Sequence, residues 1–402
     1  MAAVTVGIIY NSGGLFHPFI AEELGIPRAR VAMFQTIQSL TGVVGLLVAN
    51  KILDRVSLRK VMSLGVLLIG CGLMLNSAYH SIWFFYITFA VVGFFNPFMF
   101  SLVGPTMLTN WFRQRLGTVI GVAASMTGIG GALFNPAVAW SIQRFGWRNT
   151  YLYIGIFILI TLLPLTLFVF KLKPSEGELP YGYIPQEGVP VEAAPVDGMT
   201  ARAARRTPAF YLFFLVMAFL ALPGNFMQQI SPHVLTMGHS VTTSASVMSG
   251  VMLGIAGGKI VIGWLLDRLK AVYVLVGFGL IGMAGWLGLT ASNWLGLAIF
   301  TEPFVLILCG FLAGSAHAIS QVGVPLGVRT TFGVREYSRI FAVISAAMSL
   351  VGAVMPTLGS AIYDLTGSYV TPLTVTAFAY CVAVPCMLLA LRLGKKAAEK
   401  AA

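Results

Sequence analysis

The stretch VTTSASVMSGVMLGIAGGKIVIGWLLDR fills positions 241–268, and within it Lys259 is the only lysine or arginine of the chain near the middle of a long apolar segment. The Asp267-Arg268 pair that closes the stretch reads as the mark of a membrane surface. Eight residues at 1.5 Å rise place Lys259 roughly 12 Å inside that surface, near the midplane of a hydrocarbon core about 30 Å thick. A cation at that depth costs at least about 2.5 kcal/mol, so it is tolerated only where it faces a wet cavity or a partner. A lysine that merely snorkelled would have to span most of the same distance. Lys259 therefore reads as an anion-binding charge in a transport pathway.

The rest of the chain fits a membrane setting. Hydrophobic residues make up 57% and charged residues 9%, with a mean hydropathy of +0.87, whereas soluble domains carry about 25% charge. Apolar stretches of helix-spanning length fall at 4–22, 31–52, 61–79, 82–107, 116–142, 150–171, 209–231, 242–265, 271–291, 300–326, 339–363 and 370–391. The reading is an all-α membrane protein of twelve transmembrane helices in two six-helix halves, residues 1–171 and 208–402. Between them, residues 172–207 hold Pro174, Pro180, Pro185, Pro190 and Pro195 and five of the thirteen acidic residues, the composition of a flexible cytoplasmic linker.

Charge asymmetry sets an expected orientation. With both termini cytoplasmic, twenty of the 25 Lys/Arg residues lie inside and only Arg28, Arg30, Arg144 and Arg148 lie outside, as the positive-inside rule requires. The expected location is the cell (inner) membrane. The net charge of +12 follows from this bias, and its scatter over short loops excludes a nucleic-acid partner. The first apolar segment lacks a cationic leader and a small-residue cleavage site, so it reads as a retained helix. No cation precedes it, which points to a start upstream of Met1. Cys71, Cys309, Cys381 and Cys386 sit inside predicted helices, with neither metal-ligand spacing nor a disulfide framework. No nucleotide loop, nucleophile triad or carboxylate pair can be assembled, so the expectation is no enzyme, no metal and no cofactor, with transport driven by an ion or solute gradient.

The loops after the second segment of each half echo one another. Asn50-Lys-Ile-Leu-Asp54-Arg55-Val-Ser57-Leu-Arg59-Lys60 and Gly263-Trp-Leu-Leu-Asp267-Arg268-Leu-Lys270 both resemble the GxxxDRxGRR signature of the major facilitator superfamily, with Asn50 and Ser57 where glycines are usual. A carboxylate and adjacent cations at helix ends can form a network that opens and closes as two halves rock, which makes Asp54, Arg55, Arg59, Asp267 and Arg268 the candidate gate. Asn110-Trp111-Phe112-Arg113-Gln114-Arg115-Leu-Gly117, the small-residue helix after it and Gly146-Trp147-Arg148 resemble the WFxxRRG to GWR region of the monocarboxylate porter and oxalate/formate antiporter families. Phe16-His17-Pro18, the Gly25 to Arg30 loop, Pro232-His233 and Asp364 to Tyr369 extend the resemblance over almost the whole chain. It implies a twelve-helix carrier of small organic anions such as lactate, pyruvate, formate or oxalate.

In those families an arginine usually stands four residues before the glycine of the eighth helix, and here Lys259 stands four before Gly263. A guanidinium grips a carboxylate bidentately, whereas an ammonium is a compact point charge with rotatable donors. His233, His317 and His17 are further candidate ligands, able to hydrogen-bond a carboxylate or carry a proton. Asn96 and Asn135, each followed by proline, join them, because proline frees a carbonyl where a polar side chain already points. Asn11, Asn225, Gln228 and Gln321 are polar at membrane depth and read equally as glue between helices. All thirteen acidic residues fall in loops or near helix ends, which weakens export of cations and carboxylate-driven proton coupling. The eleventh segment has no interior lysine, whereas the oxalate exchangers carry a second buried cation there, so the reading favours a monocarboxylate. The expected partners are that substrate, protons or a counter-anion, and the lipid bilayer, with the chain acting as a monomer. An oxalate/formate-type exchanger and a non-transporting anion sensor are the rival readings.

Overall fold

The computed structural model describes residues 1–10, 12–112, 114–171, 181 and 198–401. Among them, ten helices are long and apolar enough to cross a membrane. The longest, Leu116–Phe168, holds two spans, because Gly146 (φ 80°, ψ 159°) interrupts it with a backbone conformation that side chains disfavour. The first segment completes the twelve, but as a broken element rather than the continuous helix 4–22 expected from sequence. It runs through Ala2–Val4, a π turn Thr5–Tyr10, a 3-10 turn Gly13–Phe16 and the helix His17–Glu23. The Gly13-Gly14 pair lowers helical propensity at the break, and Ser12 Oγ turns back to the Gly7 carbonyl at 3.3 Å.

The remaining helices are Arg28–Leu53, Leu58–Leu75, Ile82–Asn96 continuing to Trp111, Pro208–Phe226 continuing to Thr236, Val241–Leu266, Ala271–Leu295, Pro303–Ala316 continuing to Phe332, Tyr337–Thr366 and Val370–Ala401. The fourth and tenth share one irregular plan, a helix, a π turn (Pro97–Ser101 or Ile319–Gly323) and a second helix. Pro97 and Pro325 explain it, since each removes an N–H from the ladder and clashes with the preceding turn.

Residues Met1–Gly104, Met126–Leu172 and Gly352–Val354 form one compact unit, and Pro105–Ser125, Lys173–Val351 and Met355–Ala402 form another. In the first, Phe34 stacks on Phe85 and Phe89, and Phe16 on Tyr151. Its loops are tied by Glu23, whose carboxylate accepts from Trp147 Nε1 at 2.7 Å and pairs with Arg148 at 2.8 Å. Arg148 also donates to the Ser77 carbonyl at 2.6 Å. In the second unit, the eighth helix shows how burial follows sequence. Val247, Val251, Ile255, Lys259 and Ile262 form one buried stripe at helical spacing, while Leu253, Val261 and Trp264 face outward, apolar on both sides as a lipid-facing helix must be.

The reading of 172–207 as a flexible linker does not extend to its last ten residues. Met199 N donates to the Phe332 carbonyl at 2.8 Å, and Ala201–Ala204 form a helical turn capped by Thr200. Glu336 accepts from Ala201 N at 2.6 Å, a carboxylate at the positive end of that turn. Tyr181 N donates to the Trp111 carbonyl at 2.8 Å, and the rest of the linker lies outside the described residues.

Candidate functional site

Lys259 is 2% exposed, and its side chain points along the buried stripe to the fifth helix. Nζ donates to the Ala124 carbonyl at 3.3 Å, beyond the usual range for such a bond, so this contact is weak and exchangeable. The close approach rests on small residues. A Cβ at Gly121 would collide with the Lys259 carbonyl, and Gly117 and Gly263 face each other so tightly that neither tolerates a side chain.

The tenth helix supplies the neighbour. Gly258 lies against the Ser315 backbone, and two residues on, His317 ends the helix Pro303–Ala316 just before the π turn. Its ring lies over Gly224 of the seventh helix and within electrostatic reach of Lys259. The Nδ1 atom is buried without a hydrogen-bond partner, whereas the backbone carbonyl of the same residue is tied to Ser320 Oγ at 2.8 Å.

The other candidates have contacts of their own. His233, 2% exposed, has Nε2 3.0 Å from the Leu289 carbonyl, a bond that fastens the seventh helix to the ninth and leaves Nδ1 as the ring nitrogen able to meet a ligand. His17 packs edge-on against Phe34 at 5.9 Å in the first unit. Asn135 accepts from Ser12 Oγ at 2.5 Å, bracing the break in the first segment, and Asn96 ends the helix before the Pro97 turn. Asn225 Nδ2 donates to the Ala221 carbonyl one turn back at 2.8 Å. Asn11, Arg113 and the side chain of Gln228 lie outside the described residues.

At the end of the eighth helix, Asp267 receives three hydrogen bonds from the start of the fifth. Oδ1 accepts from Gly117 N at 2.8 Å, and Oδ2 from Thr118 N at 2.7 Å and Thr118 Oγ1 at 2.6 Å. These N–H groups have no partner inside their own helix, and the helix dipole adds its partial positive charge, so the carboxylate caps the fifth helix across 149 and 150 residues of sequence. Arg268 lies over the Trp264 ring at 4.1 Å instead of pairing with the adjacent Asp267. Asp54 and Arg55 are exposed at the corresponding loop of the first half, and Arg59 Nε donates to the Phe170 carbonyl at 3.0 Å. The sequence pointed to Asp267 through its motif, but gave no sign that Thr118 and the Gly117 backbone are its partners. Small residues on both helices were the available signal.

Twelve apolar helices, a cation buried among them and a carboxylate cap joining helices from the two sequence halves define a multi-pass membrane transport protein. The family model described as Major Facilitator Superfamily matches residues 1–324, and the chain belongs to that family. It is 26% identical over 351 residues to monocarboxylate transporter 12-B of Danio rerio, covering 81% of this chain and 71% of the relative. It is also 26% identical over 379 residues to human monocarboxylate transporter 11, covering 90% and 74%. Among solved structures, the fold matches the E. coli fucose:proton symporter with a TM-score of 0.67 at 13% identity, over 97% of each chain. It matches a proton:xylose symporter with a TM-score of 0.69 at 11% identity, over 96% of this chain and 92% of the other. The family is one of transporters.

Proposed function

We propose that the chain carries a small monocarboxylate together with a proton across the cell membrane, as a single polypeptide with both termini cytoplasmic. Residues 1–171 and 208–402 act as the two halves of an alternating-access cycle. The observation that supports this most strongly is Lys259, a charge buried on an apolar stripe whose Nζ donates a long bond to the Ala124 carbonyl. An anion that displaces that carbonyl replaces a weak neutral partner with a charge-assisted one. A single fixed cation suits a monoanion better than oxalate, and the similarity to monocarboxylate transporters 12-B and 11 points the same way. His317 and the free nitrogen of His233 assist, while His17, Asn96 and Asn135 line or brace the path in the first half. Asp54, Arg55, Arg59, Asp267 and Arg268 work the inner gate.

The test is uptake of lactate, pyruvate, formate and oxalate by purified protein in liposomes, wild type against Lys259→Gln. Losing the charge removes binding worth roughly 1.5 to 3 kcal/mol, so affinity for the preferred anion falls about 10- to 150-fold. Wild-type kinetics in the Gln variant would sink the assignment. Uptake that needs a counter-anion and no proton would replace symport with exchange, and anion binding without flux would make the protein a sensor.

A further inference from the structure

We infer that the docked end of the linker and the loop between the tenth and eleventh helices form one arginine-lined surface that binds the phosphate headgroup of an anionic lipid. Arg202, Arg205 and Arg206 carry it, in the helical turn that begins at Ala201. The turn continues past Ala204, because Arg206 N donates to the Ala203 carbonyl and Thr207 N to the Ala204 carbonyl, each at 3.0 Å. The three arginines therefore stand at i, i+3 and i+4, on one helix face. All three are exposed, while Ala204 is wholly buried on the opposite side.

The turn is held rather than loose. Gly198, at φ 134°, lies so close to the Phe332 carbonyl that a Cβ would collide with it, and Met199 N donates to the same carbonyl at 2.8 Å. Glu336 then accepts from Ala201 N through Oε2 at 2.6 Å and from Arg339 through Oε1 at 3.3 Å. Docking thus gathers Arg202, Arg205 and Arg206 with Arg335 and Arg339, both exposed, around a single carboxylate. Like charges three and four residues apart repel, and among the described residues none of the three in the turn is paired with a carboxylate. An anion is the group this surface lacks, and guanidinium forks match phosphate oxygens. The position selects a lipid as its source. The turn stops at the membrane surface, since Pro208 opens the seventh helix and Tyr211 in its first turn is 62% exposed, as interfacial aromatics are. Cations clustered beside the end of a membrane helix attract anionic headgroups. The leaflet is the cytoplasmic one in the proposed orientation, and the contact does not depend on which anion Lys259 takes.

Native mass spectrometry of the whole chain, from micelles holding equal amounts of phosphatidylglycerol and phosphatidylcholine, tests this by counting retained lipids. The wild type should keep phosphatidylglycerol in preference. Arg205→Gln with Arg206→Gln should weaken that adduct roughly 5- to 25-fold, at about fivefold per cation removed. Lys51→Gln with Lys60→Gln removes the same charge from exposed positions of the first half and should leave the adduct in place. Equal loss in the two double variants would show a diffuse field instead of a site and overturn the assignment, as would no loss in the arginine pair. Ala201→Pro removes only the N–H that Glu336 accepts, because Thr200 (ψ 153°) already has the extended backbone that precedes proline. It should weaken the adduct by undocking the turn, and unchanged retention would mean that the arginines act as a loose arm and that the built surface does not exist. Displacement of the lipid by millimolar inorganic phosphate would make the ligand a free anion and overturn the lipid assignment.

Discussion

Replacing Asp267 with asparagine tests the proposed gate directly. The carboxylate accepts three hydrogen bonds of 2.6 to 2.8 Å from the first turn of the fifth helix. Hydrogen bonds to a charged group contribute about 1 kcal/mol more than neutral ones, and a negative charge at a helix N-terminus adds about 0.3 to 1 kcal/mol. Asparagine loses the charge and can accept through one oxygen only. Asp267 is exposed, and solvent screening reduces these contributions, leaving a net loss of about 1 to 2 kcal/mol. At about 1.4 kcal/mol per decade, the arrangement holding this contact becomes about 5- to 30-fold less populated relative to one lacking it. Thr118→Val, which removes one bond and keeps the charge, should give a smaller effect in the same direction.

Spin labels on Val56 and Leu269, exposed side chains in the two repeated loops, would report the change as a shift in their distance distribution. Maximal uptake rate in liposomes should fall while substrate affinity changes little, because Asp267 touches the fifth helix and lies about 12 Å along its own helix from Lys259. An unchanged distance distribution together with a tenfold loss of affinity at normal maximal rate would refute the reasoning and move Asp267 into the binding site.

Orientation is checked with single cysteines. Those at Ser175 and Ala397 should react only with reagents that reach the cytoplasm and one at Ser368 only from outside, and external labelling of Ser175 would overturn the topology. The Glu23 tie sets an acid limit. Burial raises the carboxyl, but the hydrogen bonds from Arg148 and Trp147 and the Arg148 charge outweigh it and hold the group below its ordinary 4.5. With the folded value depressed, the stabilisation is present above that range and lost as pH falls through the folded value. The melting temperature of the wild type should therefore drop more steeply than that of Glu23→Gln as pH falls from the ordinary 4.5 through the lower folded value, and parallel curves would show that the tie contributes nothing.

Lys259 was legible because a charge in an apolar run is conspicuous, and the motif Asp267-Arg268 because it repeats. Their partners were not, since Ala124 meets Lys259 through a carbonyl and Gly117 meets Asp267 through an N–H, groups that every residue carries. His233 shows the reverse problem. Its position suggested a ligand, yet the Leu289 carbonyl that engages Nε2 lies 56 residues away and is equally silent in sequence. The break in the first segment was hidden for another reason. Hydropathy averages over Gly13, Gly14 and Pro18, whereas helical hydrogen bonding is interrupted residue by residue.

Lys259 and Asp267 lie eight residues apart on one helix, and Ala124 and Gly117 seven apart on its neighbour, so the two polar contacts sit side by side along the same seam. Between them Gly121 and Gly263 bring the backbones together. Such a seam is close-packed and resists gradual loosening, because an added methyl at Gly117, Gly121 or Gly263 has nowhere to go. In the proposed cycle, an anion that takes Nζ from the Ala124 carbonyl removes one polar contact between the helices. Asp267 keeps its charge-assisted bonds at the other end of the seam. Binding at Lys259 thus lowers the cost of parting the helices at Asp267, through a rigid stretch of the eighth helix rather than through any direct contact between substrate and gate.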